Sequence, residues 1–369
     1  MRRLLLSTKE VMFMNIQPNV FAVGNDYQII VTCDKEALLW IKIGDKCFYD
    51  DINGVMRTET DVHRLTVPME LLDREKQYTV FYREMIDRKT YCPVSAEEQS
   101  ETFEFHPLTS QNFRAYCIAD AHYMFKIPIS AFEAYGGADV LLMCGDTPND
   151  LSLRENLRRF NELTFAMSKG QIPVLFARGN HDLRGRYAEY FHEYTPNVAG
   201  KTYYTFRMGP IWGIVLDCAE DKEDEHHEYA GTCNCYEFRR RQVDFIKDVI
   251  SRSDEEYLAE GIQYKVVISH IPFSLALFGF EKELYEEWTS LLKDNVKPDL
   301  MISGHTHSQE IILPEKDGRV PCPLVITSDV SYGDDYYAGA GFEFSPEKIT
   351  VTFTDRYEKI LGITELPNA

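Results

Sequence analysis

No stretch of this sequence approaches the roughly 18 consecutive apolar residues that a membrane-spanning helix needs. Behind Met1-Arg2-Arg3 only Leu4, Leu5 and Leu6 are apolar before Ser7, Thr8, Lys9 and Glu10. That run is too short for a secretory signal. No C-x-x-C pair occurs among the nine cysteines, and Cys233 and Cys235 stand too close for a ready disulfide and at the wrong spacing for a zinc knuckle. Cys117 and Cys144 lie inside apolar runs and read as buried thiols. An odd, scattered set suggests a reducing compartment, so the cytoplasm is the expected location. Positive charge is also scarce: 39 Lys and Arg stand against 59 Asp and Glu, a net charge of −20. Non-specific grip on a nucleic-acid backbone needs clustered cations and is not expected, nor is a membrane partner. A small anionic substrate stays possible, because bound cations would reverse the local field. Gly-x-Ser-x-Gly is missing, which disfavours a serine hydrolase. Internal repeats and low-complexity tracts are missing too.

The 369 residues divide into two rhythms. Residues 15–108 read as short strands without helices: Tyr27 to Cys33, Ala37 to Ile43, His63 to Val67 and Gln77 to Met85, separated by turn residues such as Gly24-Asn25-Asp26 and Asn53-Gly54. Strands at that spacing predict a small antiparallel sandwich over 1–110. From Phe113 the order becomes strand, loop, helix, and an α/β unit is expected over 111–369. Ser152 with Glu155 reads as a capping box that opens a helix, with Leu153, Leu157, Phe160, Thr164 and Met167 on one face before Gly170. Further helices are expected over Phe238 to Ile250 and Glu281 to Leu292.

The second unit is informative in the polar residues that terminate its apolar runs. Tyr116 to Ala119 leads into Asp120-Ala121-His122, and Val140 to Cys144 into Gly145-Asp146. Val174 to Ala177 leads into Arg178-Gly179-Asn180-His181-Asp182. Val266 to Ser269 leads into His270, and Leu300 to Ser303 into Gly304-His305-Thr306-His307. Buried strands that end in polar groups gather their loops at one place. A lone Asp-x-His or Gly-Asp is ordinarily a cap or a turn. Five such elements in order, using five of the ten histidines, are not ordinary. Oxygen and nitrogen donors without thiolate suit Zn, Mn or Fe, and seven of them suffice for two ions sharing a carboxylate. Two ions form the usual clamp for phosphoryl displacement.

Asp120-x-His122, Gly145-Asp146, Gly179-Asn180-His181-Asp182, His270 and Gly304-His305-x-His307 together resemble the signature of the calcineurin-like metallophosphoesterases. The resemblance implies an αββα sandwich with a dinuclear centre at the strand ends. One ion would take Asp120, His122 and His307, the other Asn180, His270 and His305, with Asp146 bridging. It implies attack on phosphorus by a hydroxide held between the ions, with the non-ligand His181 aiding the leaving group. Asp182 is a candidate to orient the His181 ring, and Arg178 to hold a phosphate or to form a surface ion pair.

Asn149 stands where purple acid phosphatases have a tyrosine ligand, and Thr147-Pro148-Asn149-Asp150 carries no aspartate-arginine-glycine run of the serine/threonine phosphatases. The Gly-Asn-His-Asp and Gly-His-x-His forms are similar to bacterial phosphodiesterases and phosphatases. Within the first unit, Leu71-Leu72 followed by Tyr78-Thr79-Val80 resembles the corner and following strand of fibronectin type III, or Ig-like, domains. Monoester, diester, cyclic nucleotide and pyrophosphate all remain open as substrates. A relic site on a binding module is the alternative reading. Residues 221–235, acidic and aperiodic, are either a lid or a surface loop.

Overall fold

Strand alternation sets the architecture. In Phe113–Ile118 of the computed structural model, Ala115 and Cys117 face one side, and Tyr116 and Ile118 face the other; both sides are buried. A strand apolar on both faces must be covered twice, and it is. The structure describes residues 14–277 and 279–367, so the leucine run behind Met1 lies outside the described residues.

Two sheets pack face to face. In the first, Phe113–Ile118, Val140–Cys144 and Pro173–Ala177 run parallel, flanked on one side by the antiparallel strands Tyr336–Phe344, Lys348–Asp355 and Ile360–Pro367. In the second, Ile211–Val215, Tyr264–Ile268, Leu300–Ser303 and Leu324–Ile326 run parallel. Ala115, Cys117, Leu142 and Leu175 of the first sheet share one core with Val215, Val266, Ile268 and Ile302 of the second. Helices Ile127–Tyr135 and Asn156–Ser168 cover the outer face of the first sheet over Tyr116, Met143 and Phe176. Cys235–Ser251 and Lys282–Leu291 cover the second over Trp212, Val267 and Met301. This is the expected αββα sandwich, preceded by a region built mainly of strands. Among the described residues no helix is long and apolar enough to cross a membrane.

Three local expectations need correction. The helix expected from Ser152 begins at Asn156, because Asp150 Oδ1 accepts the Ser152 amide at 2.8 Å and holds 150–152 in a turn. Leu153 is consequently exposed, while Leu157, Phe160, Thr164 and Met167 are buried as expected. Tyr27 to Cys33 and Ala37 to Ile43 are one strand, Asp26–Ile43, whose exposed Asp34-Lys35-Glu36 marks a register shift between its two pairing regions. The first unit also contains a helix, Met69–Glu75, which buries Leu71 and Leu72.

The strands of the first 110 residues form the expected β region, and one of them joins it to the first sheet. Strand Ile16–Val23 pairs parallel with Pro173–Ala177, Val20 opposite Pro173 and Phe21 opposite Val174. At its tip Gly24 donates to the Thr205 carbonyl at 2.8 Å and accepts from the Arg207 amide at 2.9 Å, which ties it to the second sheet. The change of rhythm near 110 is therefore a crossing of the chain within one continuous sheet.

Candidate metal centre

Parallel strands in register bring their carboxyl ends to one level. Asp120 and His122 follow Phe113–Ile118, Asp146 follows Val140–Cys144, and Asn180 and His181 follow Pro173–Ala177. His270 follows Tyr264–Ile268 in the second sheet, and His305 and His307 follow Leu300–Ser303. To turn inward at once, five of these residues adopt positive φ: Asp120 (55°), His122 (47°), Asp146 (53°), His305 (75°) and His307 (53°). For a residue with a Cβ that conformation costs roughly 1–3 kcal/mol. Strain repeated at one place points to function. The loops also touch: a Cβ on Gly179 would lie 2.1 Å from Asp146 Oδ1, and one on Gly145 would lie 2.6 Å from the Gly179 amide nitrogen. Glycine lets these two backbones meet.

Each carboxylate is anchored by one oxygen and presents the other. Asp120 Oδ2 accepts the His305 amide at 2.9 Å and the Ser328 hydroxyl. Its Oδ1 faces Nε2 of His307 at 3.4 Å, His270 at 3.7 Å and His122 at 3.9 Å. Asp146 Oδ1 accepts the His181 amide at 2.8 Å, while Oδ2 lies 3.2 Å from His270 Nε2 and 4.0 Å from His122 Nε2. His270 Nδ1 donates to the Cys144 carbonyl at 2.7 Å, which fixes the ring and turns Nε2 inward. Asn180 Oδ1 sits 3.0 Å from His305 Nδ1.

Burial and charge set the protonation of the metal-free cluster. Burial drives the Asp146 carboxyl upward, but the attraction of His270 outweighs it and holds the group down at about 2. The same contest holds Asp120 well below the usual carboxylate range. His270 is burdened by burial yet raised to about 10 by Asp146 and Asp120. Burial lowers His122 and His305 to about 4.

Asp120 Oδ1 and His270 Nε2 are buried and make no hydrogen bond. Three groups of donors each lie within 4.8 Å of one another: Asp120, His122 and His307; Asp146, His270 and His305; and His122, Asp146 and His181. Unsatisfied buried donors of this kind fit divalent transition-metal ions.

Comparison with known proteins decides the family. The profile of the calcineurin-like phosphoesterases matches residues 113–309, more than half of the chain. The chain belongs to that family. With membership comes metal-dependent phosphoester hydrolysis at a dinuclear centre. No curated protein matches the chain by sequence. Among solved structures it is similar to a purple acid phosphatase from yellow lupin (Lupinus luteus) seeds, at a TM-score of 0.62 and 11% identity over 95% of this chain and 74% of that one. That likeness is one of fold. A dimetal phosphatase from Danio rerio aligns at a TM-score of 0.47 and 12% identity, over 71% of this chain and 100% of that one.

Around this phosphoesterase centre the remaining expected residues fall into different places. Both ring nitrogens of His181 are engaged: Nδ1 lies 2.7 Å from the Asn149 carbonyl and Nε2 lies 2.9 Å from Arg184 Nη1. That commitment sets it apart from His270 despite its place in a donor group. Asp182 does not touch the His181 ring. Its Oδ2 accepts the amides of Gly179 at 2.8 Å and Asp146 at 3.3 Å, so it braces the loops from behind. Burial and then the charge of Asp146 push its carboxyl up to about 8. Of the two situations expected for Arg178, the structure has an ion pair, made to a buried partner and not at the open surface. Arg178 pairs with the buried Asp217 at 2.8 Å, with 17% of its side chain exposed.

Sequence reading missed Arg184, Glu220 and Ser328. Glu220 grips Arg184 with both oxygens, at 3.0 and 2.8 Å. Ser328 comes just after the apolar run Leu324–Ile326, and that signal was available. The segment 221–235 is tied down: Asp224 accepts the amides of Cys235 at 2.6 Å and Tyr236 at 3.1 Å, and the Tyr229 hydroxyl donates to Asp221 at 3.1 Å.

Proposed function

We propose that this chain hydrolyses small phosphate esters with two metal ions, one held by Asp120, His122 and His307 and the other by Asn180, His270 and His305, with Asp146 between them. One observation carries the reading: Asp146 is common to the His122 group and to the His270–His305 group, whereas Asp120 groups with His122 and His307. Held by these residues, two divalent cations would supply an activated water near neutral pH and would offset charge on the phosphoryl oxygens. The protein's own groups do the rest. Asp120 and Asp146 each keep one oxygen on a backbone amide, so their free oxygens stay aimed inward. His270 is fixed by the Cys144 carbonyl. His181 is assigned to the leaving group in this reading, and its ring is set between Asn149 and Arg184.

The net charge of −20 favours a small ester over a nucleic-acid polymer. The nine unpaired cysteines favour a cytoplasmic setting. Manganese, iron and zinc all suit the donors. The test is metal analysis of the purified protein beside turnover of p-nitrophenyl phosphate and bis-p-nitrophenyl phosphate. Two transition-metal equivalents with chelator-sensitive turnover are expected. One ion or none, without turnover after Mn²⁺, Fe²⁺ or Zn²⁺ is restored, would overturn the proposal.

A further inference from the structure

Arg184 lies beside the centre, where it meets the His181 ring, and its fork carries more donors than that contact uses. Arginine carries five N–H donors in a planar fork. Nε donates to Glu220 Oε1 at 3.0 Å, and Nη2 donates to Glu220 Oε2 at 2.8 Å and Asp221 Oδ1 at 3.3 Å. Nη1 donates to His181 Nε2 at 2.9 Å. Four donors are thereby occupied, and among the described residues the second Nη1 hydrogen has no partner. It sits on the arm that reaches His181, with 30% of the side chain exposed.

The grip on Arg184 is itself fixed. Glu220 is 2% exposed, and the buried Arg239 holds the loop backbone through the carbonyls of Cys218 at 2.8 Å and of Glu220 and Lys222 at 3.3 Å. Arg239 is anchored in turn on Glu281. A guanidinium held this firmly, with one donor left over next to a metal centre, is built to meet an anion.

We infer that Arg184 contacts the substrate phosphate and biases the site towards monoesters. This rests on the dinuclear reading of the same site. A phosphomonoester has three terminal oxygens and a diester two. Two bound metal ions would satisfy two of them, and the third oxygen of a monoester calls for a donor from the protein, which the free Nη1 hydrogen supplies. A diester places an esterified oxygen there, which accepts such a bond poorly. Glu220 and Asp221 are then positioning residues that act through Arg184.

The experiment compares wild type, Arg184→Gln and the double variant Arg184→Gln/Glu220→Gln, all loaded with Mn²⁺, by calorimetric titration with inorganic phosphate and by kinetics on p-nitrophenyl phosphate and bis-p-nitrophenyl phosphate. A lost hydrogen bond to a charged group corresponds to roughly ten- to a hundredfold. Phosphate affinity and kcat/KM for the monoester should both fall by that factor in Arg184→Gln, with a smaller loss on the diester, through the His181 contact alone, and the metal content unaltered. The double variant relieves the unpaired carboxylate and should show the same loss. Unchanged phosphate affinity, equal losses on both esters, or recovery in the double variant would overturn the inference. If wild type hydrolysed neither ester, the hydrolase reading would fall by itself, and the phosphate titration would still decide the role of Arg184.

Discussion

At the scale of single residues, neighbouring His181 and Asp182 separate cleanly. The His181 ring meets Arg184 and the Asn149 carbonyl, so replacing it with alanine should remove leaving-group assistance, worth roughly 10²–10⁴-fold in turnover, and leave both metal equivalents in place. Loss of metal as well would make His181 a ligand. Asp182 accepts two backbone amides, so Asp182→Asn should keep metal content and cost less than about tenfold in turnover.

Asp182 also predicts a pH effect. In the metal-free protein its folded pKa of about 8 lies above the value of an unfolded aspartate. The native state then binds the extra proton between about pH 4 and 8, and stability falls as pH rises through that window. Thermal unfolding across the window should show a shallower decline for Asp182→Asn. An unchanged slope would place the effect elsewhere. The inward donors were legible in the sequence because each stands at the end of an apolar run. Arg184 and Glu220 were not legible, since they meet 36 positions apart and each alone looks like an ordinary surface charge.

Elements explain why the donors converge. The Gly145-Asp146 and Gly179-Asn180 loops pack backbone against backbone, and a Cβ on Gly179 would fall 2.4 Å from the Asp146 amide nitrogen. Rigid backbone cannot yield as a flexible side-chain end can. Gly179→Ala should therefore push Asp146 out of position, and metal analysis should return fewer than two equivalents with the fold retained by circular dichroism. Two equivalents in that variant would show that the loops have more room than their packing indicates. Helix positions were legible from 3.6-residue periodicity, with Cys235–Ser251 and Lys282–Leu291 found close to their expected places. The start of Asn156–Ser168 was not, because Asp150 takes the Ser152 amide and the turn wins over the capping box.

The whole molecule differs most from its sequence pattern at the join near residue 110. Strand Ile16–Val23 contains Pro18 and the buried Asn19, which break its apolar rhythm, so its pairing with Pro173–Ala177 was hidden. Asn19 is satisfied by the Asn161 carbonyl at 3.1 Å, a contact across 142 positions. Removing residues 1–110 would strip that neighbour from Pro173–Ala177 and expose its open edge, a template for aggregation. The fragment 111–369 should accordingly be insoluble or oligomeric by size-exclusion chromatography. A monomeric, metal-loaded fragment would show that the second unit folds alone.

The proposed hydrolysis would depend on two ions held by two distinct sets of donors on either side of Asp146. Anomalous X-ray diffraction from crystals grown with Mn²⁺ or Zn²⁺ would locate those ions without reference to activity. Two anomalous peaks are expected, one bounded by Asp120, His122 and His307 and one by Asn180, His270 and His305, with Asp146 contacting both. A single peak, or a peak ligated by His181, would contradict the dinuclear assignment.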